Sequence, residues 1–179
     1  LIRVVGSDNI ILNKSEMSKY LIEWRGVYTG KAGAIIKPKS TKEVSKILKI
    51  AYSTNTPIIS QGGNTGLVGG QISFDDNHIV LNLTRLNKVR EINTLDKSIT
   101  VESGLTLLEL QNVCKKNNTL FPLSLASEGT CTIGGNISTN AGGVGVLYYG
   151  NTRNLVLGLE IVCLVYTSPS PRDVEESRM

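Results

Sequence analysis

Gln61-Gly62-Gly63-Asn64-Thr65-Gly66-Leu67-Val68-Gly69-Gly70 is the stretch on which the reading of this 179-residue chain turns. Directly before it, Thr56-Pro57-Ile58-Ile59-Ser60 has the composition of a short strand. The glycines therefore open where a strand ends. Consecutive backbone N–H groups in a glycine-rich turn form a concave nest that suits phosphate oxygens. Asn64 and Thr65 bring side-chain donors to the same place. The spacing matches neither GxGxxG nor GxxxxGK[ST], which disfavours Rossmann and P-loop readings. Taken alone, the stretch is also compatible with a tight turn that needs several glycines.

Upstream, Ala34-Ile35-Ile36-Lys37-Pro38 reads as a buried strand ended by proline. Ser40-Thr41-Lys42-Glu43 has capping-box form. Val44, Ile47, Leu48 and Ala51 then recur at the spacing of one helical face. Strand, helix and strand make a βαβ unit, expected to be parallel and right-handed, with the glycine loop at the carboxyl end where α/β sheets bind ligands. Residues 1–33 read as a lead-in of helix and loop around Met17-Ser18-Lys19-Tyr20-Leu21.

Downstream, strands are predicted at 79–83, 89–92 and 97–102. A helix capped by Thr106 and Glu109 follows, with Leu107, Leu110 and Cys114 on one face and its end near Asn117-Asn118. From Phe121 to Gly150 the chain reads mostly as loop, and so long a loop in a compact domain is usually functional or disordered. It contains a second motif, Ser127-Glu128-Gly129-Thr130-Cys131-Thr132-Ile133-Gly134-Gly135-Asn136-Ile137-Ser138-Thr139-Asn140-Ala141-Gly142-Gly143. Two glycine loops, each behind strand-forming sequence, point to a long ligand with several polar groups, as a dinucleotide has. Leu155-Val156-Leu157-Gly158-Leu159-Glu160-Ile161-Val162 is predicted to close the globular part as a strand.

Composition narrows the classes. A net charge of +4, spread without a dense basic stripe, disfavours nucleic-acid binding. Three separated cysteines (114, 131, 163) without a CxxC pair argue against a disulfide framework or a zinc site. No apolar run is long enough to span a bilayer. The opening Leu1-Ile2-Arg3-Val4-Val5-Gly6 is neither an initiator Met nor a signal peptide, so a native start further upstream is expected. Beyond Leu164 the sequence turns polar and proline-bearing. Residues 165–179 are expected to be disordered and resemble adaptor or read-through sequence more than native protein. His78, the only histidine, follows Asp75-Asp76-Asn77 in a turn and reads as a surface residue, not a catalytic one.

The two motifs in this order carry a resemblance. The capped helix and strand leading into Gln61-Gly62-Gly63-Asn64-Thr65-Gly66 are similar to the first half of the vanillyl-alcohol-oxidase, or PCMH-type, FAD-binding domain. Phe121-Pro122-Leu123, Thr132-Ile133-Gly134-Gly135-Asn136 and Thr139-Asn140-Ala141-Gly142-Gly143 are similar to its second half. Within that family the wording most resembles the D-2-hydroxyglutarate dehydrogenase and D-lactate dehydrogenase branch, over residues 20–162.

The resemblance implies an α+β fold in which two α/β subdomains hold FAD, with the domain over 34–164 incomplete on its C-terminal side. It implies that Gln61, Gly62, Gly63, Asn64, Thr65 and Gly66 wrap the pyrophosphate. Pro122, Gly129, Thr132, Ile133, Gly134, Asn136, Thr139, Asn140, Ile161 and Val162 would line the rest of the cofactor. Some relatives attach FAD through a histidine in the first loop; Asn64 stands near that place, which implies non-covalent flavin. Ser124 stands where relatives of this branch often carry Asp.

The implied reaction is oxidation of a D-2-hydroxy acid to the 2-oxo acid, with a separate electron acceptor. Substrate grip, proton abstraction and any metal would belong to a following domain that this chain lacks. No catalytic residue and no metal ligand is therefore assigned within 1–179. The implied compartment is the cytoplasm of a bacterium or the mitochondrial matrix of a eukaryote. The alternatives are a non-catalytic or defective nucleotide-binding fragment, or another PCMH-type flavoenzyme such as a sugar-alcohol oxidase or a cell-wall precursor reductase. Unpaired sheet edges are expected to lower solubility.

Overall fold

The computed structural model describes residues 1–163. The expected disorder of 165–179 lies outside these residues. The first half of the chain builds a four-stranded sheet from β1 (Ile10–Ile11), β2 (Ala34–Ile36), β3 (Ile58–Gln61) and β4 (Ile79–Asn82), in the order β1-β2-β4-β3. β4 runs parallel to both β2 and β3, and β1 pairs antiparallel with β2. The predicted βαβ unit is thus parallel, but its two strands are not neighbours: β4 is inserted between them.

Alternation along the central strands sorts their side chains to two faces. Ile36, Ile79 and Leu81 join Val44, Ile47 and Leu48 of α3 (Thr41–Ser53) and Val5 of α1 (Ile2–Val5). Ile35 and Val80 instead join Met17 and Leu21 of α2 (Lys14–Leu21). Helices therefore cover both faces, which is why all four residues of β4 are buried and its sequence is almost continuously apolar. Burying each such Ile, Val or Leu stabilises the fold by about 1.5–3 kcal/mol.

α3 begins where the sequence predicts. The Ser40 hydroxyl accepts from the Glu43 N–H at 3.2 Å, and the Glu43 carboxylate accepts from the Lys39 N–H at 2.8 Å. Removing the Ser40 cap would cost about 1 kcal/mol.

The second half pairs β5 (Val89–Asn93) antiparallel with β6 (Ser98–Val101) and adds α4 (Leu107–Lys116), α5 (Ile133–Thr139) and the single turn α6 (Val146–Tyr149). Leu105, Leu107, Leu110, Cys114, Leu123, Cys131 and Ile133 form its own core. α4 carries the full predicted capping box between Thr106 and Glu109. A bulge between Val89 and Glu91 leaves Arg90 without a cross-strand partner. Bulges re-aim side chains, and Arg90 reaches Glu160 at 2.8 Å, Thr41 at 3.2 Å and Glu102 at 3.4 Å. One side chain thereby ties β5 to the start of α3 and to the segment after residue 155.

Three expectations need correction. The lead-in contains a short strand, β1, besides helix and loop. The long predicted loop holds a helix, α5, in spite of Gly134-Gly135. The helix forms because its first N–H groups find outside acceptors: Ile133 donates to Leu105 O at 2.9 Å and Gly134 to Ser103 O at 2.8 Å. The strand predicted over 155–162 is absent. Thr152–Leu155 is a 3₁₀ turn, and residues 156–163 pair with no strand among the described residues. Their alternation nevertheless persists: Leu157, Leu159 and Ile161 are exposed, while Glu160 bonds Arg90 and Val162 packs on the first core.

Candidate functional site

The first glycine loop leaves the carboxyl end of β3, an edge strand. Gln61 and Asn82 face each other at the last ladder position. Both are buried, and their side chains lock the loop's base. The Asn82 amide donates to Gln61 Oε1 and to Gly62 O, each at 3.1 Å. The Gln61 amide donates to Tyr20 O at 2.8 Å and to Gln71 O at 3.1 Å. Gln61 is thus fully engaged within the protein.

Asn64 sits in the left-handed region at φ 57°. Its amide donates to Ile22 O at 2.8 Å and to Lys19 O at 3.4 Å, while its buried Oδ1 has no partner. At the far end of the loop, the Gln71 amide donates to Gly66 O at 2.7 Å.

Among the described residues, no backbone N–H from Gly62 to Gln71 donates to any protein acceptor. Backbone donors are normally paired within the protein or hydrated. A row of them in one rigid loop is a polar surface suited to anionic oxygens.

The second motif packs directly on the first. A Cβ added at Gly62 would lie 2.2 Å from Thr132 Oγ1, and one at Gly63 would lie 1.8 Å from Thr130 O. The smallness of these two glycines is used up by loop-to-loop packing. Residues 127–133 are themselves held firmly. Thr130 and Cys131 N–H both donate to Ser127 O at 2.8 Å, Leu107 N–H donates to Cys131 O at 3.1 Å, and Leu108 N–H donates to Glu128 O at 2.9 Å.

Of the residues expected to line a ligand, the structure brings Gly62, Gly63 and Thr132 into contact. Ile133 and Asn136 are buried, Asn136 donating to Cys131 Sγ at 3.5 Å. Gly134 abuts Ser103, and Thr139 donates to Gly135 O at 3.0 Å. Asn140 ends α5 at φ 51° and accepts from Arg153 N–H at 3.1 Å. Gly129 is open, with only Leu108 Cδ2 near a Cβ position, at 4.0 Å. Pro122 lines a cavity of about 370 Å³ between the β5–β6 end, the end of α4 and Tyr149. Ile161 is exposed and Val162 half-buried. His78 is half-buried, with Nε2 4.0 Å from Asp75 and Nδ1 unpartnered.

Sequence reasoning missed the residues that hold the first loop from outside. The Glu23 carboxylate is buried and accepts from Arg25 N–H at 2.8 Å and Val27 N–H at 3.1 Å. The Arg25 N–H bond is the main cause holding its pKa below the ordinary glutamate value, with Val27 N–H and the Arg25 charge acting the same way and burial opposing. The Arg25 guanidinium lies 3.4 Å from Glu23 and donates to Leu67 O. The Tyr28 ring would meet a Cβ on Gly69 at 3.2 Å, and Gly69 has φ 77°. Neither the Glu23 burial nor the reach of Arg25 across to Leu67 has a signature in sequence. No group of His, Cys, Asp and Glu among the described residues is arranged to hold a metal ion. No helix among them is long and apolar enough to cross a membrane.

Comparison with known proteins agrees with this geometry. The family profile described as "FAD binding domain" matches residues 32–164. D-2-hydroxyglutarate dehydrogenase of Xanthomonas citri pv. viticola is 37% identical over 148 residues, covering 83% of this chain and 31% of the relative. The mitochondrial D-2-hydroxyglutarate dehydrogenase of Arabidopsis thaliana is 35% identical over 159 residues, covering 89% and 28%. The chain thus spans under a third of these relatives' length. Among solved structures, an alkyldihydroxyacetonephosphate synthase superposes with a TM-score of 0.74 at 21% identity, over 84% of this chain and 30% of that one. A substrate-bound p-cresol methylhydroxylase superposes with a TM-score of 0.57 at 18% identity, over 80% and 28%. With a glycine loop whose N–H groups lack protein acceptors, in a fold shared with PCMH-type flavoenzymes, the chain belongs to the FAD-binding domain family.

Proposed function

We propose that this chain is the cofactor platform of a flavin-dependent oxidoreductase that oxidises a D-2-hydroxy acid, of the 2-hydroxyglutarate or lactate type, to the 2-oxo acid. The observation that carries the platform role is the row of backbone N–H groups from Gly62 to Gln71 without protein acceptors, backed by a rigid second loop. FAD, when bound, supplies the two-electron acceptor for such an oxidation.

The chain's own residues bind and orient. The Gly62–Gly66 N–H groups and the Thr65 hydroxyl would take the pyrophosphate oxygens. The Gly129–Asn140 stretch, with Pro122, Ile161 and Val162, would contact the remainder of the cofactor. Flavin held this way is non-covalent. Grip on the hydroxy acid, removal of its hydroxyl proton and delivery of electrons to a separate acceptor are assigned to the length of the relatives that this chain does not span. The substrate class rests on the relatives' names. The proposed compartment is the cytoplasm in a bacterial host or the mitochondrial matrix in a eukaryotic one, as the named relatives divide.

The test is anaerobic addition of D-2-hydroxyglutarate, D-lactate and their L-enantiomers to the flavin-loaded complete gene product. Bleaching of the flavin absorbance by a D-enantiomer alone is expected. A flavoprotein bleached by none of the four acids would refute the substrate class.

A further inference from the structure

Four side chains tie the lead-in segment before β2 to the first glycine loop. Gln61 and Asn64 donate to the carbonyls of Tyr20 and Ile22, the Tyr28 ring backs Gly69, and Arg25 donates to Leu67 O. Gln61, Asn64 and Tyr28 act singly. The fourth is a built device: a buried carboxylate, Glu23, whose two oxygens take the N–H groups of Arg25 and Val27 and so fold residues 23–28 into a tight turn. Gly26 lies in that turn at φ 72°, and its N–H donates to Glu23 O at 2.8 Å. The turn aims the Arg25 guanidinium across 42 positions of sequence at the one loop carbonyl it reaches, Leu67 O.

We infer that Glu23 and Arg25 form a brace that fixes the peptide orientation of the first glycine loop, making them positioning residues for the anionic cofactor. This rests on the platform reading above. The physical reason is the two-ended nature of a peptide group. With the Leu67 carbonyl held by the guanidinium on one side of the loop, the N–H of the same peptide group, that of Val68, points to the other side. Arg suits the task because its planar fork serves a carboxylate and a carbonyl together, which a lysine ammonium does less well. Glu23 balances the Arg25 charge, so the brace adds no net positive charge of its own. Its effect on a bound anion passes through loop geometry.

The experiment compares the wild-type chain with Arg25→Gln, Arg25→Lys and Glu23→Gln. Backbone ¹⁵N relaxation of residues 62–70 is measured without FAD, and FAD affinity by quenching of flavin fluorescence. In wild type, order parameters near the rigid value of about 0.85 are expected across the loop. In Arg25→Gln they should fall toward about 0.6 within 62–70, while the rest of the four-stranded half is unchanged. FAD affinity should weaken by about tenfold to a hundredfold, the span of one charge-assisted hydrogen bond.

Arg25→Lys should restore part of both quantities, and Glu23→Gln should resemble Arg25→Gln in milder form. Unchanged loop order in Arg25→Gln would overturn the brace. So would weaker FAD binding with loop order unchanged, because Arg25 would then touch the ligand itself. If Arg25→Gln does not fold, the Arg25→Lys comparison decides by the same criteria. A wild-type chain that binds no FAD while the loop still responds to Arg25 would sink the platform reading and leave the brace standing.

Discussion

Replacing Gly63 with alanine tests the interlocking of the two loops. The new Cβ would sit 1.8 Å from Thr130 O, 2.8 Å from Thr130 C and 3.3 Å from Cys131 Cα, all backbone atoms. Neither side can yield by changing a rotamer. Thr130 and Cys131 are pinned through their N–H bonds to Ser127 O, and Cys131 O is held by Leu107 N–H. The loops must therefore part by about 1.6 Å or more to restore an ordinary contact. Overpacking of this kind costs about 1–3 kcal/mol, and backbone against backbone belongs at the upper end. At about 2–4 °C per kcal/mol for a chain of this size, the melting midpoint should fall by about 6–12 °C.

Circular dichroism melts of three variants make the comparison internal. Gly70→Ala meets nothing within 4 Å and should be neutral or slightly stabilising. Gly62→Ala meets the Thr132 hydroxyl at 2.2 Å, so its cost should shrink in a Thr132→Ala background, whereas that of Gly63→Ala should not. A Gly63→Ala midpoint equal to that of Gly70→Ala would refute the interlocked arrangement.

Asn82→Leu should cost about 1–3 kcal/mol for each acceptor it strands, because Gln61 Oε1 and Gly62 O both lose their donor; an unchanged urea midpoint would contradict this. The Arg90 hydrogen bond, followed by that of Thr41 and by the Arg90 charge, holds Glu160 below its ordinary pKa. A depressed carboxylate pKa gives stability that is present above the ordinary glutamate value and lost as pH falls through the folded value. Glu160→Gln should therefore be slightly destabilising at neutral pH, with the gap to wild type closing on acidification. Glu160 is 57% exposed, so the effect belongs at the low end of the 0.2–1 kcal/mol typical of surface pairs. A gap that widened in acid would show that the sign is wrong. Cys163 is exposed whereas Cys114 and Cys131 are buried, so a thiol reagent should modify one cysteine quickly in the native chain and all three after denaturation. Fast modification of two or three in the native chain would disagree with the second core.

Much of the fold was legible because local signals and burial agree. Ser40 and Thr106 cap the helices they were expected to cap, and the Val44–Ala51 stripe faces the sheet. What failed depends on partners distant in sequence. A two-residue strand such as Ile10–Ile11 has no periodicity to detect and exists only because β2 lies beside it. The helix over Gly134-Gly135 defies propensity because Ser103 and Leu105 accept its first N–H groups and Gly134 can lie against Ser103. Leu157, Leu159 and Ile161 carry strand alternation, but no described strand pairs with them.

The site was half legible. Glycine clusters announced close approach, yet a glycine needed against a ligand and one needed against another loop look identical in sequence. Gly62 and Gly63 are of the second kind in this structure. Gln61, expected at the ligand, braces the loop's base through its side chain.

Whether the first glycine loop is the cofactor platform is decided by a ¹H–¹⁵N correlation spectrum of the labelled chain, titrated with FAD. The amides of Gly62 to Gly70 should move most and move downfield, as N–H groups do on gaining an anionic acceptor. Saturable FAD binding that leaves those amides in place and shifts others would contradict the platform role.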